Sequence, residues 1–141
     1  MLPLRYMQRW RAAGIMLLLA VLIATLMPAV WFVSDSRELI TWFMGVDKWL
    51  HAITFLFLAV WFSGQYEKSS YWRIGLGLVL FGIFIEICQR MVSYRSAEWF
   101  DLAADVGGIV AGLSIALAGI GGWSLRTEAW LMQRRADERV D

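Results

Sequence analysis

The sequence is poor in cysteine, histidine and net charge. Its one cysteine, Cys88, excludes an internal disulfide and any metal cage built from several thiolates. Thirteen lysines and arginines against twelve acidic residues leave a net charge of +1, which gives no electrostatic basis for binding nucleic acid. These shortages exclude a disulfide scaffold, a cysteine-rich metal domain and a basic nucleic-acid-binding module.

Apolar residues, in contrast, are in excess. Hydrophobic residues make up 60% of the 141 residues and the mean hydropathy is +0.58, whereas about half of a soluble domain is apolar. The nine tryptophans and four tyrosines lie mostly at the edges of apolar runs, where a membrane protein has its aromatic belt. We therefore expect one all-α domain with four transmembrane helices. The runs cover about 12–33, 49–64, 74–92 and 99–122, and a charged tail follows at 124–141.

The basic residues predict how these helices are oriented. With the N-terminus in the cytoplasm, nine of the thirteen fall on the cytoplasmic side, as the positive-inside rule requires. The four on the outer side are Arg37, Lys48, Arg90 and Arg95. The first run resembles a secretory signal, but it exceeds the about 7–15 apolar residues of such a signal and has no A-x-A-like cleavage site. We expect a retained first helix and two cytoplasmic termini.

Eight polar residues lie at the ends of the second, third and fourth runs, and this topology brings them all to the outer side. They are Asp47, Lys48, His51, Glu86, Gln89, Arg95, Asp101 and Asp105. Polar groups at membrane depth are expensive, so they usually pair with one another or mark a functional site. We expect all eight to line one ligand-binding site.

Helical spacing places these polar groups above surfaces that suit close packing. Residues three or four apart share a helix face, as do Asp101 and Asp105. The predicted packing residues are Gly82 on the third helix and Ala104, Gly108, Gly112 and Ala116 on the fourth. Such small residues let helix backbones approach closely in lipid. They also offer a surface for association between chains, although the sequence does not specify an oligomeric state.

Each prominent member of the cluster has two interpretations. His51 is either a proton shuttle or ligand, or an interfacial histidine bonded to Asp47 or another carboxylate. Glu86 is either an acid, base or headgroup contact, or half of a structural ion pair with Lys48 or Arg95. The Arg95 guanidinium can hold a phosphate in two hydrogen bonds, and it can also neutralise a nearby carboxylate.

The same acidic residues raise the question of a metal. The carboxylates repel one another unless positive charge compensates them, and lysine and arginine side chains can supply it. No spacing in the chain is diagnostic of zinc or calcium. We expect no cofactor and no metal, with a divalent cation at the acidic cluster as the alternative.

The ordered motif resembles the VanZ-like family of small bacterial membrane proteins. Its elements are Asp47-Lys48-x-x-His51, Glu86-x-x-Gln89, Arg95, Asp101, Asp105, Gly108 and Gly112. Two departures are Asp105, where the family often has asparagine, and the absence of a Pro-Gly turn before Arg95. The resemblance implies a protein of the bacterial inner membrane acting near cell-wall or lipid-linked saccharide metabolism. The founding member is associated with resistance to the glycopeptide teicoplanin.

Three functions are compatible with these features. The first is a non-enzymatic envelope protein that binds an anionic lipid or a lipid-linked saccharide, with Lys48 and Arg95 on the phosphate. The second is an outer-leaflet hydrolase or transferase acting on a lipid phosphate, with His51 or Glu86 as acid or base. No nucleophile motif of known spacing supports it, so we expect a binding protein rather than an enzyme. The third is a structural ion network that fixes the helix order.

Overall fold

The computed structural model describes residues 1–27, 37–92 and 99–138, with side chains in the second range described from residue 46. These ranges contain no β-strand, so the all-α class is confirmed for them. The helices are α1 (Met7–Leu26), α2 (Arg37–Ser63), α3 (Tyr71–Arg90), α4 (Trp99–Ile115) and α5 (Trp123–Asp137). A short 3-10 helix, Lys68–Ser70, leads into α3, and a π-helical segment, Ala116–Ile120, extends α4.

Four helical stretches are long and apolar enough to cross a membrane. They are Met7–Leu26, Val46–Ser63, Lys68–Arg90 and Trp99–Ile120, with mean hydropathies between 1.2 and 1.8. Large apolar side chains cover their outer faces, among them Met16, Ile53 and Leu80. Exposed apolar surface on this scale would drive association in water. The chain is therefore a multi-pass membrane protein with lipid-facing helices.

The helices begin and end at different residues from the apolar runs. Helix α1 starts at Met7 rather than at about residue 12, and α2 starts at Arg37 rather than at about residue 49. Charged residues interrupt the apolar pattern just before each predicted start, at Arg11 and at Asp47 and Lys48, but helical backbone hydrogen bonds continue through them. The predicted end of the first run, residues 28–33, lies outside the described residues.

Two glycines of α4 set how closely it packs on α2. A Cβ at Gly108 would collide with the carbonyl oxygen of Ala52, and a Cβ at Gly112 would lie 2.8 Å from the Ala59 Cβ. The backbones of α2 and α4 are therefore in direct contact, as small residues permit in lipid. Among the predicted packing residues of α4, Gly108, Gly112 and Ala116 are buried and Ala104 is half-buried.

Apolar side chains from α2, α3 and α4 form the core. Its buried members are Phe55, Leu58, Ala59, Leu78, Ile85 and Ile109. Helix α1 lies at the edge of this core, since Gly14 is its one buried residue. A Cβ at Gly14 would lie 3.0 Å from the ring of Phe62, which shows how closely the ring approaches α1.

At the other end of the bundle, α5 is held against α1 and α2. Gly119 and Gly122 have φ angles of 144° and 71°, which glycine adopts without steric strain, and the chain changes direction there. The Trp123 indole donates to the Val60 carbonyl at 3.0 Å. Its ring also meets those of Trp10 and Trp61 at centroid distances of 5.3 and 5.4 Å. The predicted charged tail thus includes an ordered helix with partners in the bundle.

Candidate functional site

The polar residues of α2, α3 and α4 meet at one end of the bundle. Helix α2 contributes residues near its middle, because it begins at Arg37, well before Asp47. Helix α4 contributes its N-terminal turns and α3, which runs antiparallel to both, its C-terminal turns. Five of these residues are buried with exposures of 8% or less, namely His51, Glu86, Gln89, Asp101 and Asp105. Such burial of polar groups needs either internal partners or a ligand.

The shortest contact in the site joins α2 to α4. The His51 Nδ1 lies 2.9 Å from the Asp105 Oδ1, and the two side chains are 5% and 0% exposed. A carboxylate in this position fixes the orientation of the imidazole. With the Nδ1 proton donated to Asp105, a neutral imidazole carries its free lone pair on Nε2. The pair therefore presents an oriented nitrogen that can take up a proton or bind a ligand.

A second contact between the same helices involves a lysine. The Lys48 Nζ lies 3.8 Å from the Asp101 Oδ1, with side-chain exposures of 37% and 5%. This separation is within ion-pair range but longer than a hydrogen bond. The ammonium therefore offsets part of the Asp101 charge and still reaches the outside of the bundle.

Glu86 stands on α3 opposite these two pairs. It is 8% exposed, and its Oε1 atom has no hydrogen-bond partner among the described residues. Its carboxylate interacts electrostatically with Asp101, His51 and Asp105. The sequence offered Lys48 as an ion-pair partner for Glu86, whereas the described ion pair of Lys48 is with Asp101. Glu86 is thus a buried acceptor directed at the other acids.

Gly82, predicted as a packing residue, also makes room for a polar side chain. A Cβ there would lie 2.7 Å from the Asp105 Oδ2, so the carboxylate occupies the space that the missing side chain leaves. That Oδ2 atom, like the Glu86 Oε1, is buried without a hydrogen-bond partner in the described part of the chain. Gly82 therefore positions the acid that orients His51.

Gln89 links the site to α1. Its Nε2 donates to the Thr25 carbonyl at 3.2 Å, and the side chain is 2% exposed. The last carbonyls of a helix have no partner within that helix, so the amide satisfies one of them near the end of α1. This contact uses one of the two amide N–H groups of Gln89, which leaves the other N–H and the oxygen for the ligand that the sequence predicts.

A cavity of about 220 Å³ opens beside His51, between α1, α2 and α3. Its polar lining comes from Thr25, Asp47, His51, Thr54 and Gln89, and its apolar lining from Val21, Ala24, Leu50 and Phe55. The sequence did not indicate that α1 forms one wall. The only available signal was Thr25, a polar residue inside an otherwise apolar run.

Three residues of the site stand in an arrangement that can hold a cation. One ligand atom each from Asp47, His51 and Asp101 lies within 4.8 Å of the other two. The set brings together α2 and the first turn of α4. Arg95, which the sequence assigned to the phosphate, lies outside the described residues.

A further buried carboxylate lies at the opposite end of the molecule, and the sequence did not single it out. Glu128 on α5 accepts the backbone N–H groups of Arg5 and Tyr6 at 2.8 and 3.1 Å and the Trp10 indole N–H at 2.8 Å. Burial on its own raises the pKa of Glu128, but these three donors outweigh it and the pKa is lowered. Glu128 is a structural cap that ties the N-terminal segment to α5.

In comparisons with known proteins, no family model, no characterised protein and no solved structure matches this chain.

Proposed function

We propose that this chain is a protein of the bacterial inner membrane with both termini in the cytoplasm. Its polar site then faces outward and binds the phosphate-bearing headgroup of an anionic lipid or a lipid-linked saccharide precursor. The observation that carries this proposal is the cavity of about 220 Å³ beside His51. A cavity lined by both polar and apolar side chains suits an amphiphile, because ligand sites use a few polar groups to orient a mostly apolar ligand.

The charges around the cavity support a headgroup that carries both acceptors and donors. The Lys48 ammonium, which is partly exposed, provides a contact for phosphate. Asp47 and His51 line the cavity and can bond hydroxyl or amine groups of a sugar or headgroup. The ordered polar motif that resembles the VanZ-like family supports an envelope role of this kind, including a link to glycopeptide resistance.

Lipid retention tests this proposal. The full chain, purified in mild detergent, is analysed by native mass spectrometry for bound anionic lipid and polyprenyl phosphate. Lys48→Met combined with Arg95→Met is expected to abolish retention, while Lys68→Met with Arg73→Met, at the other end of α3, serves as the charge-matched control. Equal lipid in both double variants contradicts the proposal.

One observation favours an enzyme as the second candidate. The buried His51–Asp105 hydrogen bond orients an imidazole beside the cavity, as a general base requires. The reaction class is hydrolysis or transfer at a lipid phosphate. Incubation with labelled polyprenyl phosphates distinguishes the two candidates: an enzyme forms product that is lost in His51→Gln, whereas a binding protein returns the substrate unchanged.

A further inference from the structure

The polar site brings several carboxylates together around one histidine. Basic side chains that act on these acids include Lys48, in ion-pair range of Asp101, and Arg90 and His51, which interact electrostatically with Glu86. Like charges in a poorly solvated site repel strongly unless a cation lies between them. A phosphate entering the cavity would add further negative charge. A cation beside the four carboxylates around His51, which are Asp47, Glu86, Asp101 and Asp105, would therefore favour the binding of an anionic headgroup.

Two buried oxygens show where such a charge would act. The Glu86 Oε1 and the Asp105 Oδ2 have no hydrogen-bond partner among the described residues, and their side chains are 8% and 0% exposed. A buried acceptor without a donor is costly in free energy. Glu86 interacts electrostatically with Asp101 and His51, so its unsatisfied oxygen belongs to the same cluster. This is an observation separate from the clustering of acids.

The histidine is arranged as metal-bound histidines are. A metal-ligating imidazole usually donates its other ring N–H to a carboxylate, which fixes its tautomer and orientation. Asp105 occupies that position at 2.9 Å from Nδ1. One ligand atom each from Asp47, His51 and Asp101 lies within 4.8 Å of the others. The cluster thus offers three ligands and a carboxylate that orients one of them.

The geometry points to a divalent-cation site formed by Asp47, His51 and Asp101, oriented by Asp105 and with Glu86 beside it. A site with three protein ligands leaves coordination positions open, as in sites where a metal contacts a substrate. The open positions would take phosphate oxygens, and this step rests on the proposed function. Binding of the ion itself does not depend on that function. Lys48, with 37% side-chain exposure, has room to turn toward the headgroup when the ion takes its place.

The ligand set favours a first-row transition ion. Imidazole suits zinc, copper, iron and nickel, whereas sites for magnesium and calcium are built from oxygen alone. Two carboxylates with one imidazole fit Zn²⁺ or Mn²⁺. We therefore expect the site to bind these two ions in preference to Mg²⁺ and Ca²⁺.

Calorimetric titration of the chelator-treated full chain in lipid nanodiscs with Zn²⁺ and with Mn²⁺ tests the site. The wild type is expected to bind one ion. Asp47→Asn and His51→Gln should abolish this binding, and Asp105→Asn should weaken it by about 10–100-fold, as loss of an orienting carboxylate does. Asp47 is only half-buried, so its variant keeps the test valid if the buried variants fail to fold. Glu67→Gln, an exposed acid outside the site, is the control.

Two results overturn the inference. One is a wild type that binds neither ion. The other is an equal affinity in the wild type, Asp47→Asn and Glu67→Gln, which would show that surface carboxylates bind the ion adventitiously.

Lys48→Met separates this inference from the proposed function. Removing an ammonium that competes for Asp101 should tighten Zn²⁺ binding, while loss of a phosphate contact should reduce lipid retention. If lipid retention survives chelator treatment and Zn²⁺ binding is absent, the cation inference fails and lipid binding stands. If Zn²⁺ binds at this site and lipid is never retained, the proposed function fails and the cation site stands.

Discussion

The His51 Nδ1 and the Asp105 Oδ1 lie 2.9 Å apart in the interior of the bundle, although 54 residues separate them along the chain. This contact joins α2 to α4 one turn from the place where Gly108 meets the backbone of α2. Close backbone packing and the polar contact are therefore coupled, since each brings the same two helices together.

The first prediction concerns this pair. Asp105→Ala should lower the free energy of unfolding by about 3–5 kcal/mol, because a buried imidazole loses its partner. Unfolding in sodium dodecyl sulfate measures the change. In a double-mutant cycle with His51→Ala, the second substitution should cost much less than it does alone. Additive losses would show that the two side chains do not interact.

Glu86→Gln distinguishes a ligand site from a structural ion network. The substitution removes a negative charge from an acidic cluster and keeps the shape of the side chain. If Glu86 serves a ligand, Glu86→Gln should leave the free energy of unfolding unchanged or raise it, while lipid or cation binding falls. A clear loss of thermal stability, with function reduced only in proportion to the surviving protein, would instead support the network.

Adjacent glycines of α4 provide a matched pair for testing the packing of α4 on α2. Gly108→Ala should destabilise the protein by about 1–3 kcal/mol, because its Cβ would meet the carbonyl of Ala52. A Cβ at Gly107 would meet no atom within 4 Å, so Gly107→Ala should change stability by less than about 1 kcal/mol. Thermal unfolding in detergent measures both. Equal effects would contradict the close approach of α2 and α4.

Glu128 should make the free energy of unfolding depend on pH in the acidic range. Its pKa is lowered in the folded protein, so its contribution is fully present above the pKa of the unfolded chain. That contribution is lost as pH falls through the folded-state pKa, and the loss begins below about 4.3. Thermal unfolding of the wild type and Glu128→Gln across this range measures it. The difference between the two should shrink on acidification, and parallel profiles would refute the assignment.

Labelling of single cysteines tests the proposed orientation. In a Cys88→Ser background, Ser69→Cys and Met91→Cys place a thiol at opposite ends of α3, both at exposed positions. An impermeant maleimide added to intact cells should label the Met91→Cys protein and leave the Ser69→Cys protein unlabelled until the membrane is opened. The reverse pattern would place the polar site in the cytoplasm.

Much of the fold follows from local sequence. Hydropathy predicts four crossing segments because a helix in lipid satisfies its own backbone and needs only an apolar exterior. Helix ends were predicted less well, since α2 continues back through Lys48 and Asp47 and the largely apolar residues before them to Arg37. The small residues Gly108 and Gly112 were recognisable from their spacing alone, and both lie where α4 meets α2.

The site follows from sequence only in part. Helical spacing aligns Asp101 with Asp105 on one face, but it does not determine which acid bonds His51. Sequence proximity favoured Asp47 for that bond as much as any other carboxylate, and the packing of α4 selected Asp105. Gln89 also donates to a carbonyl at the end of α1, a contact between distant helices that spacing did not predict.

The sequence by itself therefore determined a helical membrane chain and the level of the polar residues along α3 and α4, because hydropathy and helical periodicity are local properties. Only the tertiary structure decided the pairings: His51 with Asp105, Lys48 with Asp101, and Glu128 with the N-terminal segment. These depend on how closely the helices approach and how each is rotated about its axis. Both are set by packing between residues far apart in the chain.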